Sequence, residues 1–423
     1  MNASLTAEFR QPQPDGFSLD GRFLPHWVLT IAKVLLASQI VLLVLFVAGT
    51  HGLLVEGVGP NSTDFVSFNA AGVLAHLGNP AAAYDRAAHY AVEQALTEPG
   101  IPYQYFFYPP IFLLLCEQFA RMPYLVSFML FETATLGFWL LALGGILRMP
   151  SREWLAPMLC FPCVFWTMGL GQNAFLTAGL FAAGTLLLDR RPLLAGIILG
   201  MLCYKPHFGL LLPVAFIAGH RWRSFAGASL SVATMVGLTL LAYGTETWQA
   251  YLAAALDSQS IYEQGIIDFT GFITPFGAAR SLGISVIGAH VIQGITAACG
   301  ALSVGYVWQR RTSLPVRAAT IAAATLFSVH LALIYDLLLV TVAIAWLLHA
   351  ASRTGFLPGE KFVIASVYPL ALLTRHAGEI LNIPLGPVIV GAILVLCLRR
   401  ARHEIRARAG TADQAIRPEP VPA

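Results

Sequence analysis

The stretch Leu193–Phe216 reads LLAGIILGMLCYKPHFGLLLPVAF, 24 residues with a single charged side chain, Lys205, near the middle. An apolar run of this length is long enough to cross about 30 Å of hydrocarbon. An ammonium inside it must snorkel, pair with an acid or line a polar cavity. Pro206 breaks a helix at that point. Two membrane segments meeting at a polar turn are therefore expected, and the same pattern recurs on both sides. Apolar runs near 20 residues extend from Trp27 to Leu398, and the 423-residue chain is 57% hydrophobic and only 11% Asp, Glu, Lys and Arg. Soluble domains carry about 25% charged residues. The mean hydropathy of +0.70 agrees with an all-α polytopic membrane protein and excludes a cytoplasmic enzyme, a secreted globule, a disordered chain or a coiled coil.

Twelve segments are candidate spans: Val28–Gly49, Leu125–Leu147, Leu155–Met168, Ala174–Leu188, Leu193–Tyr204, Phe208–Gly219, Phe225–Tyr243, Val286–Trp308, Ala318–Val329, Leu331–Leu348, Phe362–Leu373 and Leu385–Leu398. Basic clusters fall between them at Arg148 and Arg152, Arg190 and Arg191, Arg221 and Arg223, Arg310 to Arg317, Arg353 and Lys361, and Arg399 to Arg408. The positive-inside bias puts all of these on the cytoplasmic side only if the short run Ile111–Ala120 does not cross, so that run is expected to be re-entrant or interfacial. About 12 transmembrane helices result, with both termini cytoplasmic. Residues 1–27 form a polar leading segment, 28–398 the membrane domain and 399–423 a solvated basic tail. The first run, beginning at Trp27, is too long for a signal-peptide core and is expected to be retained.

The two long outer loops, 50–107 and 245–285, are acidic. Phe65–Leu77, Ala87–Leu96 and Trp248–Ile261 show helical spacing and are expected to lie on the membrane surface as amphipathic helices. Polar chemistry is most economically placed on this face. Asp64 stands just before the first of these helices, where its carboxylate suits either a helix cap or a general base. Lys205 suits either a lipid phosphate or a snorkelling position. His330, with Tyr335 and Asp336 just after it, suits either a phosphoryl contact or a packed histidine, and Asp336 is placed to orient it or to pair Lys205. Gly169-Leu-Gly171-Gln172-Asn173 is either a capped turn or a set of amides for sugar hydroxyls. Tyr103, Tyr105, Phe106, Phe107 and Tyr108 form an aromatic band for interface anchoring, with ring stacking as a secondary use.

Six cysteines all sit in apolar runs, and Cys160-Phe-Pro-Cys163 reads as small buried residues rather than a redox pair. Zinc-protease, Asp-x-Asp, Walker and dinucleotide patterns are missing, so metal-independent chemistry without a cofactor is expected. The basic tail suits cytoplasmic anchoring and not nucleic acid.

Taken in order, Thr63-Asp64-Phe65 with Asn69-Ala-Ala71, Gly78-Asn-Pro80 with Ala83-Tyr84-Asp85, Tyr108-Pro-Pro-Ile111, Gly171-Gln-Asn173, Leu194-Ala-Gly-Ile-Ile-Leu-Gly200 with Tyr204-Lys-Pro206, and Ser328–His330 with Tyr335-Asp336 resemble the signature of the family 87 glycosyltransferases of the GT-C superfamily. His207-Phe208 follows the lysine where the family more often has a glutamine-like residue. The resemblance implies a bacterial inner-membrane enzyme that moves a sugar, usually mannose, from a polyprenyl-phosphate donor to a lipid-linked or polysaccharide acceptor on the periplasmic face. It also implies Asp64 as the catalytic acidic residue, while the residues themselves place Lys205 with His330 at the donor phosphate. Gln172, Asn173, Tyr108, His207, Tyr335 and Asp336 are then substrate-binding or supporting. With one base and no nucleophile pair, inversion is the simpler course. A lipid or solute transporter is the rival class, and a structural assembly protein a third.

Overall fold

The computed structural model describes residues 26–48, 50–51, 54–55, 63–148, 150–263, 269–310 and 312–416. The expectations for residues 1–25 of the leading segment, 56–62 and 264–268 of the two long loops, Arg311 and residues 417–423 of the tail fall outside them. Most described residues are helical; the described β-structure is a short antiparallel pair, Thr50–His51 with Leu54–Val55, and an isolated bridge, Phe272 with Leu333. Helix α1 (His26–Ala48) leads in. After it come α2 (Phe65–His76), a 3-10 turn Pro80–Tyr84 and α3 (Arg86–Leu96). A segment without helix or strand, 101–109, runs into α4 (Pro110–Ala120) and α5 (Tyr124–Leu147). There follow α6 (Ser151–Leu159), α7 (Pro162–Leu170), α8 (Ala174–Leu187), α9 (Pro192–Gly200), α10 (Leu212–Ala218) and α11 (Trp222–Glu263). The remainder is α12 (Pro275–Ser281), α13 (Val286–Gln309), α14 (Leu314–Ser328), α15 (Leu338–Thr354), α16 (Glu360–Leu381) and α17 (Leu385–Ile416).

Five helical stretches among the described residues are long and apolar enough to cross a membrane: His26–Leu45, Tyr124–Leu147, Trp222–Asp257, Val286–Gln309 and Ile334–Thr354. Counting the pair Glu153–Leu159 and Pro162–Leu170, bent by 57°, makes six. The other expected spans are shorter helices or parts of α16 and α17. A helix of 14 residues, such as α8, is only about 21 Å long at 1.5 Å per residue. It is also enclosed by protein: ten of its residues are buried, as are twelve of fifteen in α14. Short segments are tolerated at membrane depth when protein covers them. Helix α4, with eleven residues, is about 16 Å long and too short to cross.

The core is built on α14 and α15, where Ala319, Ala323, Val340, Ala343 and Leu347 have no exposed surface. Outside it, α1, α11 and α13 present large apolar side chains such as Val34, Leu241 and Leu302 outward, as a surface facing hydrocarbon would. Helices α9 and α11 cross at glycines: a Cβ on Gly196 would collide with the carbonyl of Ser224, and one on Gly227 with that of Leu193. Close approach through small residues is a usual means of helix association in lipid. Cys160 and Cys163 are buried thiols, as the sequence suggests.

Two expectations change. Helix α2 is not a surface amphipathic helix, since ten of its twelve residues are buried. Its polar residues Ser67 and Asn69 are small enough to be enclosed against α3 and α4. Nor is the whole stretch from residue 399 solvated, since Arg400 and Ala401 are buried within α17, which continues to Ile416. The Arg400 guanidinium reaches both carboxylate oxygens of Glu360 at 2.5 and 2.6 Å, and Glu404 accepts from the Ser313 hydroxyl at 2.6 Å. These partners lie far away in sequence, so charge density alone gave no sign of them.

Candidate active site

A cavity of about 420 Å³ is lined by α2, the segment 101–109, the turns around Gln172 and Lys205, and the turn before α15. Asp64 sits at the first position before α2, but its side chain makes no capping bond there. Its carboxylate instead accepts a hydrogen bond from the Gln172 amide at 2.7 Å. Burial pushes the Asp64 carboxyl up from its ordinary value, and the Gln172 bond pulls it back. A carboxylate raised in pKa and facing a cavity is a better proton acceptor than one in water.

Gly171 makes this possible. It ends α7 in the left-handed region at φ +70°, where a Cβ would press on Phe65 and Phe128. The tight turn places Gln172 and Asn173 in succession. Gln172 holds Asp64, while the Asn173 side-chain oxygen accepts from the Lys205 ammonium at 3.3 Å. One dipeptide thus joins the acid to the lysine.

Lys205 lies between two 3-10 turns, Met201–Tyr204 and Pro206–Gly209, so the helix break expected at Pro206 is real. The ammonium is 5% exposed and forms an ion pair with Asp336 at 2.7 Å. It also sits over the rings of Phe208 and Tyr335, at 4.9 and 5.5 Å. The other Asp336 oxygen accepts from the Leu333 backbone N–H at 3.1 Å, which fixes the turn Ile334–Leu337. Lys205 therefore lines the cavity and does not snorkel.

Tyr108, His207, Tyr335 and Asp336 all face this cavity. Tyr108 packs on Phe68 and Phe112, with ring centroids 5.3 and 4.7 Å apart. Asn173 is fully buried behind the lining. His330 is the exception. Its imidazole leaves the cavity lining and packs on Phe276 at 4.0 Å and His290 at 5.0 Å, the two imidazoles stacked within 8°. It comes within electrostatic range of His207, but the cavity there is lined by Lys205 and His207. The chain turns after Val329, so that Leu331 and Leu333, not His330, reach the cavity.

Sequence reasoning passed over His89 and took Glu93 only as a loop charge. Both are wholly buried behind α2. The His89 Nε2 is 3.0 Å from the Ser67 carbonyl, and Glu93 accepts from the Gln104 backbone N–H at 3.1 Å. Their i, i+4 spacing on an expected helix was the available signal. Burial pushes the Glu93 carboxyl up to about 8 and the His89 imidazole down to about 4. Above the ordinary carboxylate value the folded chain keeps a proton on Glu93 that the unfolded chain releases, so stability falls as pH rises towards 8. His89 acts oppositely between 4 and its ordinary value near 6.5, where the unfolded chain holds the extra proton and stability rises with pH. The two effects oppose one another below about 6.5, which leaves a net loss from there to about 8. The melting temperature should fall across that window, and Glu93→Gln should flatten the fall while keeping the bond from Gln104. An unchanged slope in the variant would place the titration elsewhere.

The fold and cavity define a helical membrane protein with a buried acid and a paired lysine around a shared cavity. Residues 106–334, more than half of the chain, match the family model of glycosyltransferase family 87, and the chain belongs to that family. The match takes in Tyr108, Gln172, Asn173, Lys205, His207 and His330, while Asp64, Tyr335 and Asp336 lie beyond its ends. No curated protein and no solved structure matches the chain.

Proposed function

We propose that this glycosyltransferase moves a sugar, mannose by family resemblance, from a polyprenyl-phosphate donor to a hydroxyl of a lipid-linked or glycan acceptor. In this reading the fold is of the GT-C type, with about twelve crossings, cytoplasmic termini and a periplasmic site in a bacterial inner membrane. The observation that carries it is the single cavity holding Asp64 on one side of Gln172–Asn173 and the Lys205–Asp336 pair on the other.

The acceptor hydroxyl gives its proton to Asp64 as its oxygen attacks the anomeric carbon. The bond from that carbon to the phosphate oxygen breaks, and its electron pair leaves with the polyprenyl phosphate. Lys205 holds that anion, a task an ammonium performs as a compact point charge. One base and one leaving anion give inversion at the anomeric carbon, and no metal enters the scheme.

The test is transfer by the full chain in lipid nanodiscs, given a defined mannosyl-phosphoryl polyprenol, a glycolipid extract as acceptor, and a chelator. The expected result is hexose on the acceptor with release of polyprenyl phosphate, at the same rate with and without chelator. Sugar transfer from nucleotide sugars alone, or passage of the lipid across the bilayer with no covalent change, would overturn the reading.

A further inference from the structure

The segment 101–109 is neither helix nor strand, and five of its residues, Tyr103, Gln104, Tyr105, Phe107 and Tyr108, line the cavity. Phe106 points inward and packs on Tyr84 and Phe112, whereas Tyr103, Tyr105 and Phe107 are half-buried and line the cavity. The three rings form a continuous series, Tyr103 to Tyr105 at 4.7 Å and Tyr105 to Phe107 at 5.1 Å, the latter pair stacked within 14°.

Chain outside helix and strand is ordinarily mobile, but this segment is held at three places. The Tyr90 hydroxyl donates to the Ile101 carbonyl at 2.6 Å, Glu93 accepts from the Gln104 N–H, and the Tyr84 hydroxyl donates to the Tyr108 carbonyl at 2.9 Å. The Arg86 guanidinium lies over the Tyr103 and Tyr105 rings, at 5.2 and 5.5 Å, and backs them with a cation. A rigid row of rings that loses no rotamer freedom on binding is a prepared surface for a flat ligand.

The row starts beside the phosphate site, where Tyr108 lies 6.4 Å from Tyr204, the neighbour of Lys205, and runs towards α3. The group stacked on it is therefore remote from the leaving phosphate. Two of the rings carry hydroxyls and Gln104 lies between them, which suits a partner with an apolar face and a polar rim. An isoprenoid has no such rim, and the lining offers it Phe272, Leu331 and Leu333 instead.

We propose that Tyr103, Tyr105 and Phe107 form the acceptor subsite and that the acceptor group seated there is a carbohydrate, its C–H face laid on the rings. This rests on the transfer reading of the same cavity. The test uses the full chain in nanodiscs and saturation-transfer NMR, with mannotriose, cellotriose and chitotriose as sugar probes and geranylgeranyl phosphate as the lipid probe. At least one trisaccharide should bind. Tyr105→Leu and Phe107→Leu should each weaken it by about 2-fold to 10-fold, while Tyr105→Phe retains most of the affinity and geranylgeranyl phosphate binds all variants alike. The unchanged lipid affinity also shows that the variants are folded. No trisaccharide bound by the wild type, equal sugar affinity in the leucine variants, or a loss that falls on geranylgeranyl phosphate would each overturn the proposal. Binding is read without turnover, so intact sugar binding with no transfer from a polyprenyl donor would instead count against the transfer reading.

Discussion

Asp64→Asn lowers turnover by roughly 100-fold to 10,000-fold, the usual worth of a positioned acid–base group, and leaves the fold almost unchanged. Asn keeps an oxygen for the Gln172 amide, so the 2.7 Å contact survives the substitution. No cap is lost, because the Asp64 side chain caps nothing in α2. What disappears is the proton acceptor. Transfer rate, donor affinity and melting temperature measured on one preparation separate the effects, and near-full turnover in the variant would move the base to another acid.

Lys205→Ala is expected to harm stability and donor binding together, because the ammonium has two duties. Removing it leaves Asp336 buried without its cation, and breaking a buried pair by one partner costs about 3–5 kcal/mol. The double variant Lys205→Ala, Asp336→Asn removes the stranded charge. It should regain most of the lost melting temperature while donor affinity stays low, since no cation remains for the phosphate. Lys205→Arg should recover part of the binding, a planar guanidinium fitting the space of an ammonium imperfectly. Full donor affinity in the double variant would reduce Lys205 to a purely structural ion.

Lys205 and Asp336 stood out in the sequence because each is a charge in an apolar run, and such a charge has few reasons to exist. Their pairing was legible for that reason, although 131 residues separate them. Asp64 was visible through its place before a helix, but a cap and a base look alike until the carboxylate is seen to turn towards Gln172. His330 shows the limit: the same logic of an ionisable group near a helix end pointed to the cavity, and aromatic packing on Phe276 and His290 took the ring elsewhere. Hydropathy likewise marked where apolar helices lie, but not which are sheathed by protein. The runs of α8 and α14 resemble lipid-facing spans because burial in protein and burial in lipid select the same residues.

The adjacency of Gln172 and Asn173 acts as a molecular ruler. Successive Cα atoms across a trans peptide stand 3.80 Å apart, a length that no rocking of helices alters. The two contacts of this dipeptide therefore tie Asp64 and Lys205 to one covalent unit, and any motion of that turn would carry both along with it. A single residue inserted between 172 and 173 would throw the two contacts out of register.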